Sequence, residues 1–208
     1  MIIAVDGPLA SGKGTIARAL SRRFGIAYLD TGSLYRATAL AVLDADDDPN
    51  DEIAAARAAA NLDVTRIDET RIRTAAVGQA ASKVAQLQAV RDALFKVQRD
   101  FATQPGGAIL DGRDIGTVIC PDAEVKLFVT ADPETRARRR QAELNAKGDP
   151  ITFEEMLAQT LDRDARDADR SDAPMRMAED ATLLDTSSLS IDAAVAEAVR
   201  IVEKRQKA

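Results

Sequence analysis

The residues best suited to chemistry lie in the first fifteen positions, where Asp6-Gly7-Pro8-Leu9-Ala10-Ser11-Gly12-Lys13-Gly14-Thr15 follows the apolar run Ile2-Ile3-Ala4-Val5. Glycines at 7, 12 and 14 let backbone N–H groups turn inward around phosphate oxygens, and Lys13 adds a mobile ammonium. The spacing of Gly7, Gly12 and Lys13 meets GxxxxGK, so residues 7–15 read as a loop that holds a triphosphate. The hydroxyl usually found directly after the lysine is displaced from position 14 to Thr15. A second constellation is Ala108-Ile109-Leu110 ending in Asp111, an apolar strand closed by a carboxylate suited to Mg²⁺ at the strand's carboxyl end.

Arginines supply the remaining chemistry. Arg136, Arg138, Arg139 and Arg140 crowd just past another strand pattern, Val125–Val129, where open α/β sheets bind ligands. At least one of them is expected to contact phosphate, with Arg139 a candidate for a catalytic role. Arg163, Asp167 and Arg170 share one helix face at spacings of four and three, which intrahelical ion pairing alone would also explain. The chain has no histidine, which removes imidazole bases, Ser-His triads and His-ligated zinc together. A reaction built from lysine, arginine, aspartate and bound metal fits an acceptor that is already anionic, because such a nucleophile needs charge screening rather than a proton acceptor.

The elements that must position these groups follow from periodicity and punctuation. Residues 2–5, 27–30, 108–110, 125–129 and 182–186 read as strands, each separated from the next by helical pattern. The first helix runs to about Phe24, Thr31-Gly32-Ser33 is expected to be a turn, and residues 37–45 and 51–61 are expected to be helical. Leu62–Arg73 reads as a short extended insert, and Thr74–Ala102 as a long helical pattern whose weak point is Gln88. Asp132-Pro133 opens a helix, Thr152 with Glu155 forms a capping box, and Ser190 caps the last helix. Alternating strands and helices imply a five-stranded parallel α/β sheet with helices on both faces.

Composition bounds the rest. A chain of 208 residues suits one α/β domain with a small insert or lid. The net charge of -6 argues against nucleic acid as a partner, no apolar run is long enough to span a membrane, and the single cysteine, Cys120, reads as a core residue in a reducing compartment. A monomer in the cytoplasm is the expectation. The aspartates at 46–48 read as a solvated loop.

Taken together and in order, GPLASGKGT, LDTGSLYR, SKVAQLQAVRDAL, DGRDIGT and RDARDADR resemble the bacterial cytidylate kinases of the nucleoside monophosphate kinase family, over nearly the full length. The resemblance implies a P-loop NTPase-type fold and transfer of the γ-phosphoryl of ATP to CMP or dCMP, with Mg²⁺. It implies a single domain over 1–208, with a monophosphate-binding insert at about 37–102 and a lid at about 136–155. ATP would lie against Gly7, Pro8, Leu9, Ala10, Ser11, Gly12, Lys13, Gly14 and Thr15, and Mg²⁺ against Asp111 and Thr15. Thr31, Arg36, Arg113 and Arg170 would serve the acceptor phosphate, Ser82, Arg91 and Asp114 the cytosine, and Arg163 and Asp167 the ribose. Thr31 stands where a serine is common in the family, and Leu62–Arg73 is shorter than many members' insert. The competing readings are another small kinase, acting on UMP, dTMP or shikimate, and a GTP switch, whose DxxG and NKxD motifs do not occur in the sequence.

Overall fold

A computed structural model describes residues 1–206. Contacts divide the chain into two compact units, one of Met1–Leu29 with Phe101–Ala208 and one of Asp30–Asp100.

The first unit is built on strands β1 (Ile2–Asp6), β2 (Ala27–Asp30), β3 (Ala108–Gly112), β4 (Val125–Thr130) and β5 (Thr182–Asp185). They form one parallel sheet in the order β2-β3-β1-β4-β5. Alternation of side chains along the strands creates two apolar faces. Ile3, Val5, Ile109, Val125, Leu127 and Val129 pack with Ile16 and Leu20 of helix α1 (Lys13–Phe24) and with Ala198 and Val202 of the C-terminal helix, Ile191–Gln206. Ala4, Ala108 and Leu110 face the other way, onto Ile115, Ile119, Cys120 and Ala102. Cys120 is thus a buried core residue.

Register sets what emerges from the carboxyl end of the sheet. β1 and β3 are parallel neighbours with Asp6 opposite Gly112, so the loop starting at Gly7 and the segment starting at Arg113 leave adjacent strands side by side. Segment Ile115–Ile119 then winds as a single π-helical turn, a form frequent at functional sites.

The second unit carries α2 (Thr31–Asp44), α3 (Glu52–Ala60), α4 (Ala75–Val84) and most of α5 (Gln88–Ala102). Here the structure differs from the sequence reading in two places, and it divides the helical pattern of 74–102 at the expected weak point. Thr31-Gly32-Ser33 is the first turn of α2 rather than a preceding turn, and the Ser33 hydroxyl donates to the Asp30 carbonyl at 2.6 Å. Leu62–Arg73 is not extended: single 3₁₀ turns at Val64–Arg66 and Arg71–Arg73 are stabilised by Asp63 and Asp68, whose carboxylates accept backbone N–H groups two or three residues on. Such local side-chain bonds outcompete a weak strand pattern with no neighbouring edge to pair with. The helical pattern of 74–102 is divided, α5 starting at Gln88.

Helices α6 (Pro133–Asn145) and α7 (Phe153–Ala168) complete the first unit, followed by α8, the C-terminal helix. Their caps match the chemistry of their first residues: Asp132 accepts from Thr135 N at 2.8 Å, and Thr152 and Glu155 form the reciprocal capping box.

Gly7 is a position in the phosphate loop where the fold tolerates no side chain. Its φ is +146°, and a Cβ there would lie 1.9 Å from the Val129 carbonyl oxygen of the neighbouring strand. Gly7→Ala is expected to lose about 3 kcal/mol of stability, read from the urea midpoint at constant slope, since neither backbone can yield without breaking the sheet.

Candidate active site

The loop at residues 7–12 reaches α1 through two left-handed residues, Ala10 at φ 58° and Gly12 at φ 93°. A non-glycine residue held there stores strain of order 1 kcal/mol, which the surrounding loop must impose. Gly12 accepts the first helical bonds from Thr15 and Ile16 N–H, and no side chain caps α1. The opening N–H groups of a helix have no carbonyl a turn earlier, so this end is suited to an anion. Lys13 Nζ reaches the Pro8 carbonyl at 3.5 Å, folded back across the loop. Ser11 is fully buried, and its Oγ has no hydrogen-bond partner among the described residues.

Asp111 is buried at the end of β3, and a Cβ on Gly14 would sit 3.1 Å from its Oδ2. The absent side chain at 14 therefore leaves the Asp111 carboxylate facing the start of α1. That donor set, one carboxylate beside a phosphate loop and a nearby threonine, suits a cation that keeps water and phosphate oxygens as its other ligands.

The arginines resolve into distinct groups. Asp167, 1% exposed, accepts from Arg113 Nε at 2.8 Å through Oδ2 and from Arg170 Nη2 at 2.5 Å through Oδ1, with Arg163 Nε 4.0 Å from Oδ2. One buried carboxylate thus gathers three guanidinium groups beside the loop after β3. Burial pushes the Asp167 carboxyl up, but Arg113, Arg163 and Arg170 more than reverse this and hold it at about 2. Burial pulls the Arg113 guanidinium down, and Asp167, Asp111 and Asp6 together raise it above its ordinary value. Arg170 Nε is buried with no hydrogen-bond partner among the described residues, as a group awaiting an acceptor oxygen would be.

The run on α6 separates residue by residue. Arg136, 3% exposed, forms a two-pronged pair with Asp164 of α7 at 3.0 and 2.5 Å and donates to the Ala131 carbonyl, with the Leu9 carbonyl of the phosphate loop 3.4 Å away. Arg138 lies 4.3 Å over the Phe153 ring, and Arg140 pairs with Glu143. Arg139 donates to the Thr186 hydroxyl at 3.0 Å and to the Thr186 carbonyl at 2.7 Å.

In the second unit Thr31, Ser82 and Arg91 are all buried, on α2, α4 and α5 in that order. Arg36 donates to the Ile72 carbonyl at 3.1 Å and lies against Gly78, where a Cβ would stand 3.1 Å from Nη1. Asp114, with Arg113 in the first unit, is buried at the start of the π-helical turn.

Three positioning groups escaped the sequence reading. Asp6 accepts from Ile115 N at 2.8 Å and Gly116 N at 2.7 Å, tying the end of β1 to the segment after Asp114. Burial raises its carboxyl to about 6, against the pull of those two N–H groups. The available signal was a charged residue closing an otherwise apolar strand. Asp164 and Thr186 gave no signal, since their partners are distant in sequence.

The family model described as "Cytidylate kinase" matches residues 3–204. Among similar curated proteins, the cytidylate kinase of Methylobacterium sp. (strain 4-46) is 59% identical over 87% of this chain and 86% of its own. That of Xanthobacter autotrophicus is 54% identical over 99% of both chains. Solved structures share the fold at low identity: an uncharacterized protein from Eubacterium ventriosum has a TM-score of 0.58 at 14% identity over 98% of both chains, and a gluconokinase from Sinorhizobium meliloti 0.52 at 12%, covering 99% of this chain and 93% of its own.

Asp6 and Asp167 act on stability in opposite directions. The ordinary value for both is 3.8, so Asp6, bound to its proton more tightly in the folded chain, withdraws stability as pH rises from about 4 to 6. Asp167 contributes fully above about pH 4 and loses its contribution as pH falls toward 2. Each effect is of order 2 kcal/mol. Urea titrations at fixed pH should show Asp6→Asn flattening the window from 4 to 6, and Asp167→Asn flattening the limb below 4.

Proposed function

Because this chain belongs to the cytidylate kinase family, we propose that it transfers the γ-phosphoryl group of ATP to CMP and dCMP, giving ADP with CDP or dCDP. The observation that carries the reading is the trio of Arg113, Arg163 and Arg170 on Asp167, with Arg113 directly after the strand next to the one that opens the phosphate loop. An acceptor phosphate oxygen forms the new bond to the γ-phosphorus while the bond from that phosphorus to the bridging oxygen breaks, and ADP leaves with the electron pair. The attacking oxygen carries no proton to remove. Catalysis therefore rests on screening and alignment: Lys13 and the opening N–H groups of α1 hold the donor phosphates, and Arg36, Arg113 and Arg170 hold the acceptor phosphate, with Thr31 beside it. Arg139 joins the transferring group from α6.

Ser82, Arg91 and Asp114 read the base. Guanidinium N–H groups donate to cytosine O2 and N3, and a carboxylate accepts from the N4 amine; uracil would leave buried groups mismatched. Arg163 and Asp167 meet the ribose, with Asp167 also anchoring the arginines. Asp111 and Thr15 would hold Mg²⁺, which when bound neutralises charge on the β- and γ-phosphates. The insert is read as about 37–102, a range in which the compact unit Asp30–Asp100 supports a separable body, and the lid as about 136–155, on the α6–α7 pair. We further read the protein as a monomer that works in the cytoplasm in pyrimidine nucleotide metabolism, with ATP and the monophosphate as its partners rather than nucleic acid or membrane. Among the described residues no helix is long and apolar enough to cross a membrane.

A coupled ADP-release assay over CMP, dCMP, UMP, AMP and shikimate tests the reading: turnover with CMP and dCMP is expected, and preference for another acceptor would overturn it. Lys13→Ala should lower kcat by roughly 10² in a folded chain. Arg91→Met and Asp114→Ala should raise KM for CMP at least about tenfold while leaving that for ATP within about twofold, since a lost base contact is expressed in substrate binding.

A further inference from the structure

Thr186 follows β5 and is 3% exposed, yet its side chain makes three polar contacts. Its hydroxyl accepts from Arg139 Nη1 at 3.0 Å and lies 2.8 Å from the Ser11 carbonyl and 3.1 Å from the Thr130 carbonyl. A hydroxyl has one proton, and the shorter approach directs it to Ser11. The backbone of the same residue is pinned too: Thr186 N donates to Thr130 O at 2.8 Å, and its carbonyl accepts from Arg139 Nη2 at 2.7 Å. Both oxygens of one residue therefore grip the Arg139 fork, while its proton secures a carbonyl inside the phosphate loop.

Resting on the reading of residues 7–15 as the ATP site, we propose that Thr186 is a positioning residue that couples Arg139 to the phosphate loop. The physical reason lies in the loop's own shape. Ala10 is left-handed and the Ser11 residue is fully buried, so the loop needs bonds from outside to stay in place, and the Ser11 carbonyl is where such a bond arrives. Arg139 is a long, rotamer-rich side chain on α6; held by two acceptors it is delivered toward the loop in one orientation instead of many. A hydroxyl at 186 serves both partners at once because it accepts and donates, which no aliphatic residue can do. The coupling is to the donor side of the reaction, so its loss should appear in ATP rather than in CMP.

Steady-state kinetics on the full chain, varying each substrate at saturating concentrations of the other, test this. Thr186→Val keeps the branched shape and removes the hydroxyl; it should raise KM for ATP and lower kcat by roughly 5- to 20-fold in kcat/KM, with KM for CMP within about twofold. Thr186→Ser restores both functions of the hydroxyl and should return ATP kinetics to within about threefold of the unmodified chain. In a double-mutant cycle, Arg139→Met should cost much less in the Thr186→Val background than alone, because the two act as one unit. Thermal melts establish that each chain is folded, and if the valine chain is not, Thr186→Cys, a weaker donor and acceptor of serine size, carries the same test. The proposal is overturned if valine leaves ATP kinetics unchanged, if serine is as impaired as valine, if both KM values rise equally, or if the two substitutions are additive. An unmodified chain that is inactive with ATP and CMP would instead overturn the functional reading on which the proposal rests.

Discussion

The buried Asp167 carboxylate solves the main electrostatic difficulty of this molecule. A site for two polyanions must concentrate cations, and cations brought together without a counterion repel one another and resist burial. Asp167 accepts from Arg113 and Arg170, and Arg163 stands within ion-pair range. The anchor offsets part of the repulsion among the three guanidinium groups, so they can stay together where an incoming phosphate would meet them. It also fixes orientation, because a guanidinium fork that spends one edge on a carboxylate presents the other in a defined direction. The anchor belongs to α7 and Arg113 to the segment after β3, so the same bonds hold that helix to the sheet.

A second constraint concerns the phosphate loop, which is held by its neighbours as much as by its own glycines. Gly7 passes so close to Val129 that only a hydrogen fits, Asp6 binds the two N–H groups that follow Asp114, and Thr186 reaches the Ser11 carbonyl. The parallel register of β1 with β3 and with β4 brings these contacts to one end of the sheet. Strain at Ala10 persists because these neighbours over-determine the backbone around it. The anion site is thus preorganised by backbone geometry, while the arginines around it are preorganised by acids.

Local signals carried much of this fold. The strand-loop-helix of residues 2–24, the carboxylate ending β3, the caps at Asp132, Thr152 and Ser190, and the weak point at Gln88 all depend on residues within a few positions of one another. Where local chemistry was ambiguous the reading failed, as at Leu62–Arg73, whose faint alternation gave way to turns built on Asp63 and Asp68.

What the sequence determined by itself was the list of parts: a phosphate loop, a buried acid at a strand end, many arginines, no histidine, and five apolar runs in α/β order. The tertiary structure decided which charges meet. Arg113 and Asp167 are 54 residues apart, Arg136 and Asp164 28, and Ser11 and Thr186 175. Periodicity encodes which face a residue occupies along its own element, but it holds no information about the element packed opposite. A run of four arginines therefore looked uniform in the sequence, and only folding assigned Arg136 to a buried acid, Arg138 to an aromatic face, Arg139 to a threonine and Arg140 to a neighbour on its own helix.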